Sequence, residues 1–376
     1  MSTIENAAPR THIPISGISA ALHEEWASLS AEVEHQTGVP PLRANTSTLV
    51  VIVKQGFAVD SARHTLHQLA SAIPSRILFF VVDPDCETPT ASIWAHCTLT
   101  ARGKTGGCYD VIEIALPSGR IPAIPNIVSV HRLGELPTFV IWIGQADIRS
   151  PDFAALSTVA DRLVIDTESF NEPMRALSDY AMYLGTTGST VLGSDLAWTR
   201  ISTWRELIAQ SFDPPGTRPF AMNIRSVDVT YDESQTAGAI LLASWLAARL
   251  GLEPVNATDS PSTMELRATS PTSPSRVTFN LHHSHRSGVG IRSVRILARS
   301  EDAIARISII KSAGGNSTVR VESPGMPRQE RVVHHMDPPR QELVAAELMR
   351  YTRGRIYEEA LSCAAQYCRR LESNRA

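Results

Sequence analysis

Residues 48–82 read TLVVIVKQGFAVDSARHTLHQLASAIPSRILFFVV. An apolar run at 49–53 reads as a strand, 58–73 as a helix and 76–82 as a second strand, which is a βαβ rhythm. Downstream, the segments 93–99 and 109–116 flank a Gly-rich turn and suggest a hairpin. A helical stretch then ends near Leu133, and strands follow at 138–144 and 162–166 with room for a helix at 152–160. Residues 45–169 are therefore expected to form an α/β N-terminal domain, a mostly parallel sheet with flanking helices. Residues 1–44 are expected as an appended helical arm or linker.

The rhythm changes near Phe170-Asn171-Glu172-Pro173. Helices are expected at 172–184 and 194–213, a strand at 224–231 and a helix at 237–250. Short segments at 264–268, 276–283, 291–298, 305–311, 318–322 and 330–334, separated by Ser, Pro, Gly and Asn turns, suit an antiparallel meander. The Ser/Pro/Thr-rich stretch 256–275 reads as an exposed loop around one short strand. A helix from 339 to about 371 closes the chain. Residues 170–376 are thus expected as an α+β C-terminal domain, an antiparallel sheet with helices on one face.

Composition narrows the setting. The 376 residues exceed the roughly 100–200 that one domain usually holds, and a net charge of -3 gives no general attraction to nucleic acid or acidic membrane. Neither is expected as a partner. The longest apolar stretch, 237–252, contains Arg249 and is shorter than the ~20 residues needed to cross a bilayer. No basic-then-apolar export signal opens the chain, and five cysteines do not suggest a disulfide framework, so the default compartment is the cytoplasm.

The helical run 194–213 places Trp198 near Arg200 and Trp204 beside Arg205. At about 100° per residue, Leu196, Trp198, Ile201, Trp204, Leu207, Ile208 and Phe212 fill one arc, with Arg200 inside it and Arg205 near its edge. A guanidinium among tryptophans must find a carboxylate, a phosphate, a carbonyl or an aromatic face. Ser194 or Asp195 can cap the first turn, and Pro214-Pro215-Gly216 ends the run. Trp and Arg are enriched where interfaces concentrate their energy, which makes Trp198, Arg200, Trp204 and Arg205 candidate partner-binding residues. The plain alternative is a buried helix whose arginines tie it to carboxylates such as Asp166 or Asp195.

Other motifs carry weaker chemistry. Arg102-Gly103-Lys104-Thr105 resembles a phosphate loop, but Thr98 stands where its first glycine belongs and a strand follows, so it reads as a hairpin turn. Asp83-Pro84-Asp85, at the end of a strand, offers either two carboxylates for a divalent metal in nucleotide-sugar chemistry or a polar βα loop turned by Pro84. His282, His283 and His285, with His334 and His335, would suit zinc only with a further Cys, Asp or Glu at a recognised spacing. They read as surface strand histidines, and no metal site is assigned. Gly288-Val289-Gly290 lacks the third glycine of a dinucleotide fingerprint and reads as a turn. No nucleophile elbow, zinc-protease motif or Cys-x-x-Cys is present, so no catalytic residue is assigned and no cofactor is expected. Cys363 and Cys368 project about 140° apart on a helix. A redox switch there needs local unwinding or an intermolecular bridge, against two ordinary half-buried thiols.

The run Asp195-Leu196-Ala197-Trp198 through Trp204-Arg205, followed by Phe212-Asp213, resembles the signature of the glucose-6-phosphate dehydrogenase assembly proteins, the OpcA family. Further landmarks agree in order: Pro74-Ser75-Arg76-Ile77, Leu136-Pro137 before Phe139-Val140-Ile141-Trp142, Leu163-Val164-Ile165-Asp166, the stretch 241–250, and Ile356-Tyr357-Glu358-Glu359-Ala360-Leu361. The resemblance implies a non-catalytic protein that associates with glucose-6-phosphate dehydrogenase, favours its active oligomer and feeds the oxidative pentose phosphate pathway and NADPH supply. In photosynthetic members it also implies redox control through thioredoxin; Cys363 and Cys368 are the candidate redox residues here, without a match to the family's regulatory cysteines. The competing expectation is an enzyme or sensor that binds a phosphosugar or nucleotide sugar at the strand ends of the N-terminal domain, using Arg76, Asp83 and Asp85.

Overall fold

The run that opens the βαβ unit is buried on both faces, with residues 49–53 at most 1% exposed. The computed structural model describes residues 2–5, 10–41, 45–56, 59–99, 105–186, 191–272, 274–285, 290–300, 303–350 and 352–375. They divide into two units: Met1–Ser169 with Thr187–Ser194 and Arg340–Tyr351, and Phe170–Thr186 with Asp195–Pro339 and Thr352–Ala376.

Unit 1 starts with strands β1 (Ser2–Glu5) and β2 (Arg10–Pro14) and helix α1 (Ile18–Thr37). The expected βαβ unit follows as β3 (Ser47–Lys54), α2 (Val59–Ala72) and β4 (Ser75–Val82), with β3 and β4 parallel. Helix α2 buries Ala62, Thr65, Leu66 and Leu69, the one-face spacing that seats a helix on a sheet. β5 (Thr90–Leu99) and β6 (Thr105–Leu116) make the expected antiparallel hairpin. Its turn residues Arg102-Gly103-Lys104 lie outside the described residues. After α3 (Ile124–His131) and β7 (Thr138–Ile143), the helix expected at 152–160 is only α4 (Pro151–Ala155) and one 3-10 turn, before β8 (Arg162–Ile165). The unit 2 helix α5 (Pro173–Thr186) intervenes before β9 (Leu192–Asp195).

The strand order is β1-β5-β6-β4-β3-β7-β8-β9, with β2 also on β5. β6, β4, β3, β7 and β8 are mutually parallel along that order. The chain winds from β3 through β4 to β6, then returns to begin again at β7 on the other side. Such a doubly wound sheet binds its ligands beyond the carboxyl ends of the strands, at the reversal. Residues 1–44 depart from the expected arm: β1 and β2 extend the sheet at β5, and α1 buries Ile18, Ala21, Leu22, Leu29 and Val33. Leu29 and Val33 lie against Ala95, Cys97 and Cys108, so the helix is core and not linker.

In unit 2 the run 194–213 is two helices, α6 (Leu196–Arg200) and α7 (Ser202–Gln210), broken at Ile201. The break falls in Thr199-Arg200-Ile201-Ser202-Thr203, where four of five residues are β-branched or carry a hydroxyl that competes for backbone partners. β10 (Ile224–Tyr231) and the almost wholly buried α8 (Thr236–Arg249) follow. The stretch expected as an exposed loop holds a hairpin, β11 (Glu253–Asp259) with β12 (Thr263–Thr269). β11 is an edge strand, where Pro254 costs no ladder bond to a second neighbour. Then come β13 (Arg276–His283), β14 (Ile291–Ser300), β15 (Ala303–Lys311), β16 (Asn316–Glu322) and β17 (Gln329–His334).

This second sheet runs β11-β12-β13-β10-β14-β15-β16-β17, antiparallel except for the β10–β13 pair. The single closing helix expected from 339 is also two: α9 (Arg340–Leu348), which belongs to unit 1, and α10 (Arg355–Arg375), which belongs to unit 2. Gly354 stands at the start of α10, and a glycine inside a helix costs about 1 kcal/mol relative to alanine. Among the described residues no helix is long and apolar enough to cross a membrane.

Candidate functional site

β9 delivers the chain to α6, and the Asp195 side chain accepts a hydrogen bond from the Ala197 backbone N–H at 2.9 Å, which fixes the first turn. Both tryptophans point inward, Trp198 at 3% and Trp204 at 1% exposure. Trp198 packs on Tyr357 with centroids 5.6 Å apart. Trp204 meets the edge of His335 at 4.7 Å. The sequence pairs Arg205 with Trp204; the fold pairs it with Trp198. Its guanidinium lies 3.5 Å from the centre of that ring and also donates to the Trp198 carbonyl at 3.3 Å. An aromatic face and a carbonyl thus solvate the charge. Arg200 and Arg205 are half-buried, while Glu206 and Ala209 of the same run are exposed. The four residues expected to act as one partner-binding group are therefore split: two buried rings and two half-buried guanidiniums.

His335 is 2% exposed, and its Nδ1 lies 2.7 Å from the Ser317 hydroxyl. Burial, assisted by the Lys311 charge and opposed by Asp337, holds its pKa at about 4. His334, its neighbour, is exposed. The expectation of surface histidines therefore fails for His335, whose ring is needed to pack Trp204. A depressed folded-state value means that the unfolded chain binds the proton first. Stability from this residue is present above about pH 6.5 and is lost as pH falls toward 4, by on the order of 3 kcal/mol. Urea midpoints at pH 7 and pH 4.5 should differ more in the native chain than in His335→Asn, and equal pH slopes for the two would remove His335 as the cause. The remaining histidines are scattered: His282 contacts Asp228 at 3.4 Å, and His283 stacks edge-on to His285. Among the described residues no group of three or more metal-ligating side chains converges.

Asp83 follows β4, and its carboxylate accepts the Asp85 backbone N–H at 2.9 Å, closing a local turn. Beside it a cavity of about 450 Å³ opens at the carboxyl ends of β3, β4 and β6, lined by Gln55, Gly56, Asp60, Arg63, Asp83 and Glu113. Arg63 forks onto both Glu113 oxygens at 2.8 and 3.0 Å and reaches Asp60 at 2.6 Å. Those bonds, to Glu113 first, raise its pKa. Three carboxylates around one committed arginine repel a phosphate. The first strand-to-helix turn, Lys54-Gln55-Gly56-Phe57-Ala58, also has one glycine where a dinucleotide loop has three, although Phe57 and Ala58 lie outside the described residues.

Arg76 is not part of this site. It lies at the opposite end of β4, roughly 23 Å along the strand from Asp83. There its guanidinium forks onto Asp110 at 3.0 and 3.1 Å and donates to the His131 carbonyl at 2.9 Å. Trp26 donates to the same carboxylate at 3.0 Å. Burial, with the Arg76 charge, lowers the His131 pKa. The arginine is consumed in a buried anchor, which corrects its placement with Asp83 and Asp85.

The cysteines also fall differently from expectation. Cys97 and Cys108 face each other across β5 and β6 with Cα atoms 4.1 Å apart and form a disulfide beneath α1. Strand register, invisible in an odd cysteine count, makes the pair. Cys363 and Cys368 are buried along an unbroken α10, and burial pushes both thiols up to about 12, far from the thiolate that disulfide exchange requires. Denatured, unreduced protein should titrate the three free thiols of Cys86, Cys363 and Cys368. Reductant should cost about 2–4 kcal/mol of stability, an effect absent from Cys97→Ala/Cys108→Ala. Five titratable thiols would eliminate the bridge.

Comparison with known proteins gives this geometry a family. Two domain families described as parts of a glucose-6-phosphate dehydrogenase subunit match in order, the N-terminal domain over residues 39–182 and the C-terminal domain over residues 192–361. The OxPP cycle protein OpcA of Synechocystis is 21% identical over 375 residues, covering 96% of this chain and 76% of that protein. Its namesake in Nostoc punctiforme is 26% identical over 261 residues, covering 65% of this chain and 55%, about half, of that longer protein. A solved structure from Parabacteroides merdae, described as an oxidoreductase, superposes with a TM-score of 0.51 over 88% of this chain and 99% of that one. At 8% identity it shares the fold and nothing more. With both family domains matched in order, this chain belongs to the OpcA family of glucose-6-phosphate dehydrogenase subunits.

Proposed function

We propose that the chain is a non-catalytic partner of glucose-6-phosphate dehydrogenase that favours the enzyme's active oligomer and raises its activity. The observation that carries this reading is the ordered match of both family domains across 39–182 and 192–361. A doubly wound sheet whose first turn has a single glycine, and whose strand-end cavity is acidic, supports a fold kept for its surface. An activator shifts an equilibrium only by its differential affinity for the two states of its target, so the chain must bind the active dehydrogenase better than the inactive one. Arg200 and Arg205 are the proposed contacts. Trp198 acts as the rigid platform that presents Arg205, and Trp204 anchors that platform from inside.

The test is to mix the purified chain with its host's dehydrogenase and measure oligomer mass and the KM for glucose 6-phosphate. A coupling of the usual size moves the affinity about 5- to 150-fold. No complex at micromolar concentration, with unchanged kinetics, would reject the reading. Arg200→Ala/Arg205→Ala should fold normally and lose most of the effect. Turnover of a nucleotide sugar by the isolated chain would instead favour chemistry at the Asp83 cavity.

A further inference from the structure

The unit 2 sheet turns one face to its helices and leaves the other open. Along the open face, cross-strand register lines up Glu265, Asn280, Asp228, Arg295, Ser308 and Arg320 on six adjacent strands. In the next row Leu297 faces Arg306, and Arg306 faces Glu322. Arg306 is therefore diagonal to Arg295 and to Arg320, and diagonal neighbours on one sheet face lie about 7–8 Å apart. Three guanidiniums surround Ser308 over a cavity of about 360 Å³, within the size range of small-molecule sites.

Asp228 and Glu322 also line the cavity, directly across from Arg295 and Arg306, and each already has another partner. Asp228 accepts from the Asn280 side chain at 2.9 Å and faces His282 at 3.4 Å. Glu322 faces Arg328 at 3.4 Å. Arg320 is held by Glu330 at 2.8 Å. Arg295 and Arg306 have no ion-pair partner among the described residues, and both are exposed. The two guanidiniums are diagonal neighbours, and the carboxylates directly opposite them, Asp228 and Glu322, are engaged by Asn280 and Arg328. Two planar forks that can converge from adjacent strands, with Ser308 opposite Arg295 and Ser226 on the cavity wall beyond Leu297, match the oxygens of a phosphate group.

We propose that the open face of the unit 2 sheet binds a phosphate monoester, held by Arg295 and Arg306 across β14 and β15. The site is independent of the dehydrogenase partnership and is tested on the isolated chain. Isothermal titration with glucose 6-phosphate as the probe should give saturable binding that weakens with added salt. Arg295→Ala/Arg306→Ala, two exposed positions, should keep the native unfolding midpoint and weaken binding at least tenfold. Arg331→Ala, one strand beyond the cavity, should leave it unchanged. Inorganic phosphate should compete, more weakly than the ester, and an oligoglutamate peptide should compete no better than inorganic phosphate. Absence of binding with the probe at millimolar concentration, survival of binding in the double variant, or preference for the peptide would each overturn the proposal.

Discussion

Trp204→Ala is expected to destabilise unit 2 by about 3–5 kcal/mol, the range for deleting a buried aromatic side chain. The indole is 1% exposed and packs on His335, itself held by Ser317. Truncation leaves a cavity in a close-packed interior beside His335, where collapse would cost other contacts. Urea denaturation with tryptophan fluorescence and circular dichroism reads the loss. The comparison that matters is with Arg200→Ala/Arg205→Ala, which should change stability little and dehydrogenase activation much. A Trp204→Ala protein of native stability that fails to activate would reverse the assignment and make the ring a contact residue.

Asp110→Ala should cost a similar amount, about 3–5 kcal/mol, because it strands a charge. Asp110 is 0% exposed and accepts both arms of Arg76 as well as the Trp26 indole N–H. Without it Arg76 keeps only the His131 carbonyl among the described residues. Replacing both partners with apolar residues, Arg76→Met/Asp110→Leu, should restore stability relative to either single change, since no unpaired charge is left buried. If the double variant is as unstable as the sum of the two, the pair is not the reason for the loss. The same experiment separates anchor from ligand site, because a ligand-binding arginine at a strand end would be removable at small cost to stability.

The amount of this protein readable before folding varied by region. The βαβ unit was plain from 48–82, because a strand with parallel neighbours on both edges is apolar throughout and its crossover helix keeps a 3.6-residue period. β10 and the strands from β12 to β17 were plain for the opposite reason, alternation on a sheet with one covered face. Edge elements were not. β1, β2 and β11 are short or proline-bearing and depend on a neighbour for their ladder, and α1 shows its apolar stripe only against β5. At the candidate site, the sequence marked the Trp and Arg residues as unusual without saying which faced out. The break at Ile201 altered the wheel and moved Arg205 from Trp204 to Trp198.

Local sequence by itself determined the helices and strands with the strongest periodicity and the family, because those depend on residue spacing and on motifs that survive in one dimension. Tertiary structure decided which charges are paired. Arg76 went to Asp110, Arg63 to Glu113 and Cys97 to Cys108, while Arg295 and Arg306, diagonal on one sheet face, have no ion-pair partner among the described residues. Those partners lie from 11 to 50 residues apart, and only strand register and helix seating bring them within bonding distance. Coulomb and hydrogen-bond energies act over a few ångströms of space, and separation along the chain carries no record of that distance.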